Sequence, residues 1–326
     1  MRILLRLVGA IFLGVALLLV ILGLYWASPL LRCRFAEAGP MRIGSQYRFI
    51  LSSGVRRCYL LYVPSSYGPE RAAPVVFSLH GFASSPWEQQ TYSRWGDYAE
   101  GAGLIVVYPQ GSSFPLRWNV GPVSRLQKED DVQLIRDILA ELSGRLAVDP
   151  RRIYVNGFSN GGDMTHQIAC ALSDRVAAIG VVSGMGQDTP GGCTISRPVP
   201  VIAFFGEADP LAKELPLPSW LVGLVFRVST EGGPPRPKSP EEWIRAWAER
   251  DQCTPTPVQV ELTPNLRMAS YDDCASGAEV TLYLIANGGH AWPGGPSIPL
   301  LGRSSLEIDA TATMGEFFLT HALDER

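Results

Sequence analysis

The chain has 326 residues, with 28 Lys and Arg against 31 Asp and Glu, so its formal net charge is −3. This balance disfavours a nucleic-acid binder, which normally carries a basic face. Charged residues make up 18% and hydrophobic residues 46% of the chain, which excludes a mainly disordered protein. The 33 Gly and six Cys are too few for a collagen-like chain or a disulfide scaffold.

A basic, apolar segment opens the chain. Residues 1–34 contain four Arg and no acid, which leaves 24 bases against 31 acids in the remainder. Residues 7–31 carry no charge, and this run is long enough to span a bilayer. The small pair Ala27-Ser28 matches a cleavage site poorly, which favours an uncleaved signal anchor over a long signal peptide. We expect 1–34 to be anchor or signal peptide and 35–326 to be one acidic domain.

The cysteines indicate the compartment. They are even in number and several lie among turn residues, as in Gly191-Gly192-Cys193. Oxidised pairs persist outside the cytoplasm. We therefore expect an extracytoplasmic protein, periplasmic or extracellular, that is membrane-anchored or secreted. The spacing of the cysteines does not fix their pairing.

Short apolar runs alternate with amphipathic ones after residue 40. The predicted strands are 58–63, 74–79, 104–108, 153–156, 177–182, 199–205 and 280–285. The predicted helices are 87–100, 130–146, one directly after Ser159, one starting at Ser239-Pro240 and one over 309–322. Continuous Val-, Ile- and Leu-rich runs suit strands buried on both faces. The alternation predicts an α/β fold with a doubly wound, mostly parallel sheet.

One segment does not follow the alternation of predicted strands and helices. Residues 210–240 are rich in proline and enclose the apolar run 220–226. Long loops in compact domains are usually functional or linkers. The segment is interpreted either as a packed surface loop or as a lid or hydrophobic platform for substrate.

A candidate nucleophile lies in a G-x-S-x-G motif, Gly157-Phe158-Ser159-Asn160-Gly161. The motif follows a predicted strand and precedes a predicted helix, which is the context of a nucleophile elbow in an α/β hydrolase. Such a turn exposes the serine hydroxyl at the carboxyl ends of the strands, where ligands bind. A Ser/Gly turn without catalytic use is the alternative.

A serine hydroxyl needs a base, and the base needs an orienting acid. In α/β hydrolases these follow in the order serine, acid, histidine. His290, in a glycine-flanked loop after the last predicted strand, is the predicted base. Asp209, after the buried run 199–205, is the predicted acid, with Glu207 as second candidate. The acids Asp251, Asp272 and Asp273 are expected at the surface.

The oxyanion of such a reaction needs preorganised N–H donors. The backbone N–H of Asn160, directly after the nucleophile, is one predicted donor. The backbone N–H of Phe82, in the turn His80-Gly81-Phe82 after a buried strand, is the other. His80 is then expected to brace this turn rather than act as a base.

These motifs together resemble those of the polyhydroxybutyrate depolymerase and feruloyl esterase family, which are α/β hydrolases related to carbohydrate esterases. The resemblance runs from Arg56 to Phe318. Its segments include Leu79-His80-Gly81, Tyr108-Pro109-Gln110-Gly111, Trp118-Asn119, the Ser159 motif and 289–295 around His290. The chain departs from the family at Phe205, directly before Gly206, where the family usually has His, and in the length of 210–240.

The resemblance implies a secreted serine esterase with Ser159, Asp209 and His290 as its catalytic residues. It also implies the disulfides Cys170–Cys193 and Cys253–Cys274, which leaves Cys33–Cys58 by subtraction. Trp118 and Trp292 are predicted to line the acyl site, with plain core positions as the alternative.

The predicted function is hydrolysis of a carboxylic ester through an acyl-enzyme, on polyhydroxyalkanoate-type, feruloyl or acetyl esters, including polymeric ones. The alternatives are a serine peptidase of the same fold and a membrane-tethered binding module without activity. No metal, nucleotide or other cofactor is implied, because the sequence has neither clustered Cys/His ligands nor a Gly-rich phosphate loop. The membrane is a partner only if the leader is uncleaved.

Overall fold

The computed structural model describes residues 32–36, 38–120, 130–186, 188, 192–211, 237–298 and 301–324. The predicted anchor over 7–31 and residues 212–236 of the proline-rich segment lie outside these ranges. Among the residues that are described, no helix is both long enough and apolar enough to span a membrane.

Ten strands form one sheet. In chain order they are β1 (Gly44–Ser52), β2 (Val55–Val63), β3 (Ala73–Leu79), β4 (Ile105–Pro109), β5 (Val148–Phe158), β6 (Ala178–Val182), β7 (Val201–Gly206), β8 (Val258–Thr263), β9 (Leu266–Tyr271) and β10 (Val280–Ile285). Across the sheet the order is β1-β2-β4-β3-β5-β6-β7-β10-β9-β8. The strands from β4 to β10 in this order are parallel, and antiparallel strands extend the sheet on both sides.

Helices cover both faces of the sheet. The described helices are α1 (Pro86–Ser93), α2 (Trp95–Ala102), α3 (Asp131–Ser143), α4 (Asn160–Ala171), α5 (Pro240–Arg250) and α6 (Ala310–Thr320). The apolar sides of α3, α4 and α5 belong to one buried cluster, and those of α2 and α6 belong to a second. The predicted α/β class with a mostly parallel sheet is confirmed.

The elements that sequence predicted are largely those that are buried. All seven predicted strands are present, whereas β1, β8 and β9 were not predicted. The predicted helix over 87–100 is two helices, because Arg94 takes a left-handed conformation with φ 52° and ends α1. The predicted start of α5 is confirmed, since the Ser239 hydroxyl accepts the Glu242 N–H at 3.2 Å.

Three disulfides join the six cysteines in the predicted pairs. Cys33–Cys58 ties the segment before β1 to β2, with the Cα atoms 5.6 Å apart. Cys170–Cys193 ties the end of α4 to the segment before β7, and Cys253–Cys274 joins the segments that follow α5 and β9. The first two pairs therefore fasten a loop to a strand or helix, and the third fastens two loops to each other.

The prediction that Asp251 lies at the surface is wrong, because the residue is fully buried. It ends α5, and its Oδ1 accepts the Val199 N–H at 2.9 Å while its carbonyl accepts the Ala275 N–H at 2.8 Å. The carboxylate thereby joins the end of α5 to the segment before β7, and the backbone carbonyl joins it to the loop of Cys274. Burial raises the pKa of Asp251 to about 7, against the weaker opposing effects of the Val199 hydrogen bond, Arg197 and Arg250. Asp272 and Asp273 are exposed, as expected.

Asp251→Asn is expected to make folding less sensitive to pH. In the unfolded chain the carboxyl has a pKa near 3.9, so between about pH 4 and pH 7 the native state binds more protons and wild-type stability falls as pH rises. Asparagine keeps the oxygen that accepts the Val199 N–H and removes the buried charge. The melting temperature of the variant minus that of wild type should therefore grow from pH 5 to pH 8. Asp97→Asn, at an exposed acid, should show no such growth, and a constant difference for Asp251→Asn would contradict the assignment.

Candidate active site

Ser159 occupies a strained turn between β5 and α4. Its backbone has φ 54° and ψ −121°, a conformation that L-residues rarely adopt and that a surrounding structure must hold in place. The Ser159 N–H donates to the Val182 carbonyl of β6 at 2.8 Å. The turn thus sets the side chain at the carboxyl ends of neighbouring parallel strands, as the motif predicts.

Two glycines make this turn sterically possible. A Cβ at Gly157 would lie 2.1 Å from the Gly161 carbonyl oxygen. A Cβ at Gly161 would lie 2.3 Å from the Leu79 carbonyl oxygen at the end of β3. Both distances are far below van der Waals contact, so the G-x-S-x-G spacing follows from backbone packing on the two sides of Ser159.

His290 and Asp209 form a buried pair. The imidazole Nδ1 is 2.6 Å from Asp209 Oδ2, and each residue is 5% exposed. The other carboxylate oxygen accepts the Leu211 N–H at 2.7 Å, which fixes the carboxylate plane. Because a carboxylate only accepts hydrogen bonds, Nδ1 carries the proton in the neutral imidazole and Nε2 is left as the basic nitrogen.

The second candidate acid faces another residue. Glu207 accepts a hydrogen bond from the Arg267 guanidinium on β9, and both side chains are largely exposed. Its carboxylate is therefore engaged on the outside of the sheet, whereas Asp209 contacts the imidazole. The geometry favours Asp209 over Glu207 as the acid.

The imidazole lies next to the nucleophile turn. The ring of Phe158, the residue before Ser159, packs against the His290 ring with centroids 5.0 Å apart. Within the described contacts no hydrogen bond joins the Ser159 hydroxyl to His290. Such bonds are often long without substrate and tighten in the complex, so this geometry is compatible with a serine–histidine pair.

Gly206 allows the acid loop and the histidine loop to meet. A Cβ at this position would lie 2.2 Å from the Gly288 carbonyl oxygen and 2.6 Å from that of Gly289. The same approach lets the Ala208 N–H donate to the Gly288 carbonyl at 3.0 Å. A glycine at position 206 thus has a steric reason here, which the sequence alone did not reveal.

The loop after β3 lies against the nucleophile. A Cβ at Gly81 would be 3.5 Å from the Ser159 Cβ, so the predicted donor Phe82 directly follows a residue that lies against Ser159. The neighbouring helix α4 begins at Asn160, where unpaired N–H groups and the helix dipole favour negative charge. The pair of N–H donors on Phe82 and Asn160 stays a prediction.

His80 holds this loop from inside. Its ring is fully buried, Nε2 accepts the Gly111 N–H at 2.9 Å, and Nδ1 lies 2.8 Å from the Gly81 carbonyl. These partners require a proton on Nδ1 and a lone pair on Nε2. Burial lowers the pKa of His80 to about 4, so the imidazole is neutral near neutral pH. His80 therefore braces the loop, as expected, and is not available as a base.

A second brace comes from the loop after β4. The Trp118 N–H donates to the side-chain oxygen of Asn160 at 2.8 Å, and the Trp118 indole donates to the His80 carbonyl at 2.8 Å. The Ala83 N–H donates to the Leu116 carbonyl at 2.8 Å. This loop therefore locks the β3 loop to the start of α4. The sequence offered no signal for the role of the Asn160 side chain.

The structure does not support the predicted contact of Trp118 and Trp292 with substrate. Each side chain is only 1% exposed. The Trp118 indole is engaged by His80, and the Trp292 indole donates to the Thr311 hydroxyl at 3.0 Å. Both rings pack within the framework of the site, which is the core alternative.

A further buried histidine sits on α4, away from the His290 loop. Nε2 of His166 is 2.9 Å from Asp188 Oδ1, and Arg250 donates to both oxygens of Asp188. Burial lowers the pKa of His166. In the described part of the chain, His166, Cys170 and Cys193 are the one group with the spacing of metal ligands. Both cysteines form a disulfide, so neither offers a thiolate.

The sheet order, the nucleophile turn after β5 and the acid and histidine loops after β7 and β10 define an α/β-hydrolase fold with a serine, histidine and aspartate at one edge. Among solved structures, an acetyl xylan esterase from Aspergillus awamori matches with a TM-score of 0.59 over 84% of this chain and 98% of that chain. At 16% sequence identity this likeness shows the fold.

The chain is also similar in sequence to curated esterases. "Feruloyl esterase B" of Piromyces equi is 31% identical over 246 residues, and "Putative esterase NocK" of Nocardia uniformis subsp. tsuyamanensis is 28% identical over 286 residues. These alignments cover 72% and 83% of this chain. The resemblance to the feruloyl esterase family is confirmed, although no family model matches the chain.

The coverage of the relatives differs. The alignment spans 42% of feruloyl esterase B and 82% of NocK. The chain thus corresponds to less than half of the first protein and to most of the second.

Gly206→Ala is expected to slow the reaction of Ser159 with a serine-reactive fluorophosphonate. The added methyl must displace the Gly288 backbone and so shift Asp209 relative to His290, and misplacement of about 1 Å costs roughly 10²-fold in rate. The second-order labelling rate would be measured on folded protein, verified by circular dichroism. Gly101→Ala, in α2 with no atom within 4 Å of the new methyl, is the matched control and should label at the wild-type rate. Equal rates for both variants would contradict the steric role of Gly206.

Proposed function

We propose that the protein is a serine carboxylic-ester hydrolase with Ser159 as nucleophile, His290 as general base and Asp209 as the orienting acid. The observation that carries this proposal is the buried 2.6 Å contact between His290 Nδ1 and Asp209 Oδ2, next to a serine held at φ 54°. A strained serine, a neutral imidazole with a free Nε2 and a buried carboxylate are what acyl transfer requires.

The reaction proceeds in two halves. Ser159 Oγ attacks the ester carbonyl while His290 Nε2 takes its proton, and the negative charge on the carbonyl oxygen is stabilised by the N–H groups of Phe82 and Asn160. The imidazolium, stabilised by Asp209, then protonates the leaving alcohol, which yields the acyl-enzyme. Water activated by His290 attacks the acyl-enzyme and releases the acid.

The substrate class that we propose is an ester of a plant-type or microbial polymer: a feruloyl, acetyl or hydroxyalkanoate ester. The names of the relatives, which include feruloyl esterases and a bifunctional acetylxylan esterase/xylanase, support the first two. The motif resemblance supports the third. A peptidase of the same fold is the rival enzyme, and a binding module with a vestigial site is the rival of another class.

We also propose that residues 35–326 form one esterase domain outside the cytoplasm, held at a membrane by 1–34 if that segment is uncleaved. Three disulfides support an oxidising compartment, since such bonds are rare in the cytosol. One sheet from β1 to β10 that draws strands from residue 44 to residue 285 supports a single domain.

Labelling with a fluorophosphonate probe tests the nucleophile. Wild type is expected to label with one adduct, on the peptide that contains Ser159, and Ser159→Ala is expected to lose both labelling and ester hydrolysis. Ser183→Ala is the matched control, because Ser183 follows β6 with φ 51° and forms no part of the proposed machinery. Failure of folded wild type to label or to hydrolyse any ester would favour a binding module.

Substitution of the two acids separates their roles. Asp209→Asn keeps a side chain of the same shape beside His290 but reverses the preferred tautomer of the imidazole. We therefore expect kcat to fall by about 10³- to 10⁴-fold with KM little changed. Glu207→Gln removes only an exposed ion pair with Arg267 and should alter kcat by less than about twofold. A large loss in Glu207→Gln together with an active Asp209→Asn would reverse the assignment.

A panel of substrates separates the proposed classes. Methyl ferulate, an acetylated xylo-oligosaccharide and a hydroxybutyrate dimer would be compared with a peptide anilide at equal concentration. We expect kcat/KM for at least one of the esters to exceed that for the anilide by orders of magnitude. Preference for the anilide would identify a peptidase.

A further inference from the structure

One described surface combines exposed apolar and basic side chains at the start of the domain. We define the hairpin face as Arg32, Arg34, Phe35, Leu51 and Arg56. Phe35 is 77% and Leu51 is 68% exposed, and the three arginines are also exposed. Large apolar side chains this exposed are costly in water when they lie together, and clusters of them mark contact surfaces.

The hairpin face is held together by a covalent bond and by hydrogen bonds. Cys33 is joined to Cys58 on β2, so the segment 32–36 lies on the same side of the β1–β2 hairpin as Cys58. The Arg56 guanidinium donates to the carbonyls of Cys33, Arg34 and Ala36. Because residue 56 is paired with Leu51 in the hairpin register, it brings Leu51 and the Phe35 segment to one surface.

The position of Arg32 is fixed as well. Its guanidinium carbon lies 5.2 Å from the centroid of the Trp87 ring and 5.9 Å from that of Tyr47. Arg56 lies over the Phe49 ring at 3.7 Å. Among the described residues the acid whose charge also reaches Tyr47 is Glu88, at the edge of this surface. Arginine on aromatic rings, beside exposed Phe and Leu, is the composition of a surface at a lipid–water interface.

We propose that the hairpin face lies on the surface of an anionic lipid bilayer, with Phe35 and Leu51 at the level of the head groups and the arginines on phosphates. This inference rests on the proposed anchoring through 1–34. The uncharged run 7–31 is long enough to span a bilayer and ends directly before Arg32, so the chain would leave the membrane at this face. The chain outside the described residues therefore leads into the hairpin face.

Charge complementarity favours a bilayer over a second protein. The domain after residue 34 has 24 bases against 31 acids, whereas the hairpin face joins its Arg56 to Arg32 and Arg34 of the preceding segment and carries three arginines. Anionic head groups attract the arginines and repel the acidic remainder of the domain. The disulfide and the Arg56 hydrogen bonds leave little slack between membrane and domain, so the proposed orientation is fixed.

Photolabelling of the full chain tests this orientation. The protein would be reconstituted in vesicles of phosphatidylcholine and phosphatidylglycerol with a phospholipid that carries a diazirine near its head group, and labelled peptides would be mapped by mass spectrometry. We expect label in 7–31 and also in peptides with Phe35 and Leu51, with at least threefold less hairpin labelling in vesicles of phosphatidylcholine alone.

Two variants sharpen the test. Phe35→Ser combined with Leu51→Ser should reduce hairpin labelling several-fold while 7–31 stays labelled. Val258→Ser combined with Leu262→Ser, at two other exposed apolar residues, on β8, is the matched control and should leave hairpin labelling unchanged.

The outcomes separate the two proposals. Label in 7–31 with none in the hairpin would overturn the hairpin-face proposal and leave anchoring intact. Absence of label from both would overturn both. A parallel reaction with a bifunctional amine-independent photo-cross-linker would reveal the other occupant: links between the hairpins of two copies, in place of lipid adducts, would identify a second chain and overturn the lipid assignment. None of these results depends on ester hydrolysis, so they are distinguishable from failure of the proposed activity.

Discussion

The close approach of three backbone segments around Ser159 is the constraint on which the site depends. The end of β3, the turn after β5 and the start of α4 come so near one another that neither Gly157 nor Gly161 has room for a Cβ. Parallel pairing of β3 with β5 and of β5 with β6 supplies this closeness, and it holds the serine in a conformation that it would not adopt alone. The placement of the half-buried serine side chain is thus a consequence of sheet packing, and the proposed hydrolase chemistry depends on that packing.

The other two site residues reach Ser159 through the sheet order rather than through sequence proximity. Asp209 and His290 are 81 residues apart, yet β7 and β10 are hydrogen-bonded neighbours, so the loops that follow them start side by side. The missing side chain at Gly206 then lets the loops touch. Between β3 and β4, the braces through His80 and Trp118 play the corresponding part on the opposite side of the serine. The loops after β7 and β10 thus lie on one side of the strained turn at Ser159, and the loops after β3 and β4 lie on the other.

The sequence predicted the strands whose burial leaves an apolar pattern. It did not predict residue environments that arise from contacts with segments distant in sequence. Central strands are continuous apolar runs, and they were found; β8 has every residue exposed up to Leu262 and offers no such run. The order of Ser159, Asp209 and His290 follows from motifs. By contrast, Asp251 lies between ordinary polar residues, and only the tertiary contact with Val199 explains its burial. Trp118 is a second example, because the sequence does not distinguish a tryptophan that faces substrate from one that is buried in the core beside the site.

The disulfides carry a consequence for biogenesis. Each joins a cysteine to the next one along the chain, with separations of 25, 23 and 21 residues, and none crosses another. Suppose that such a chain enters an oxidising compartment amino end first. The second, fourth and sixth cysteines then each meet one unpaired thiol on arrival, and that thiol is the native partner. Oxidation in order of arrival thus yields the native pattern without reshuffling, and each crosslink can form before the strands that follow it in sequence have arrived.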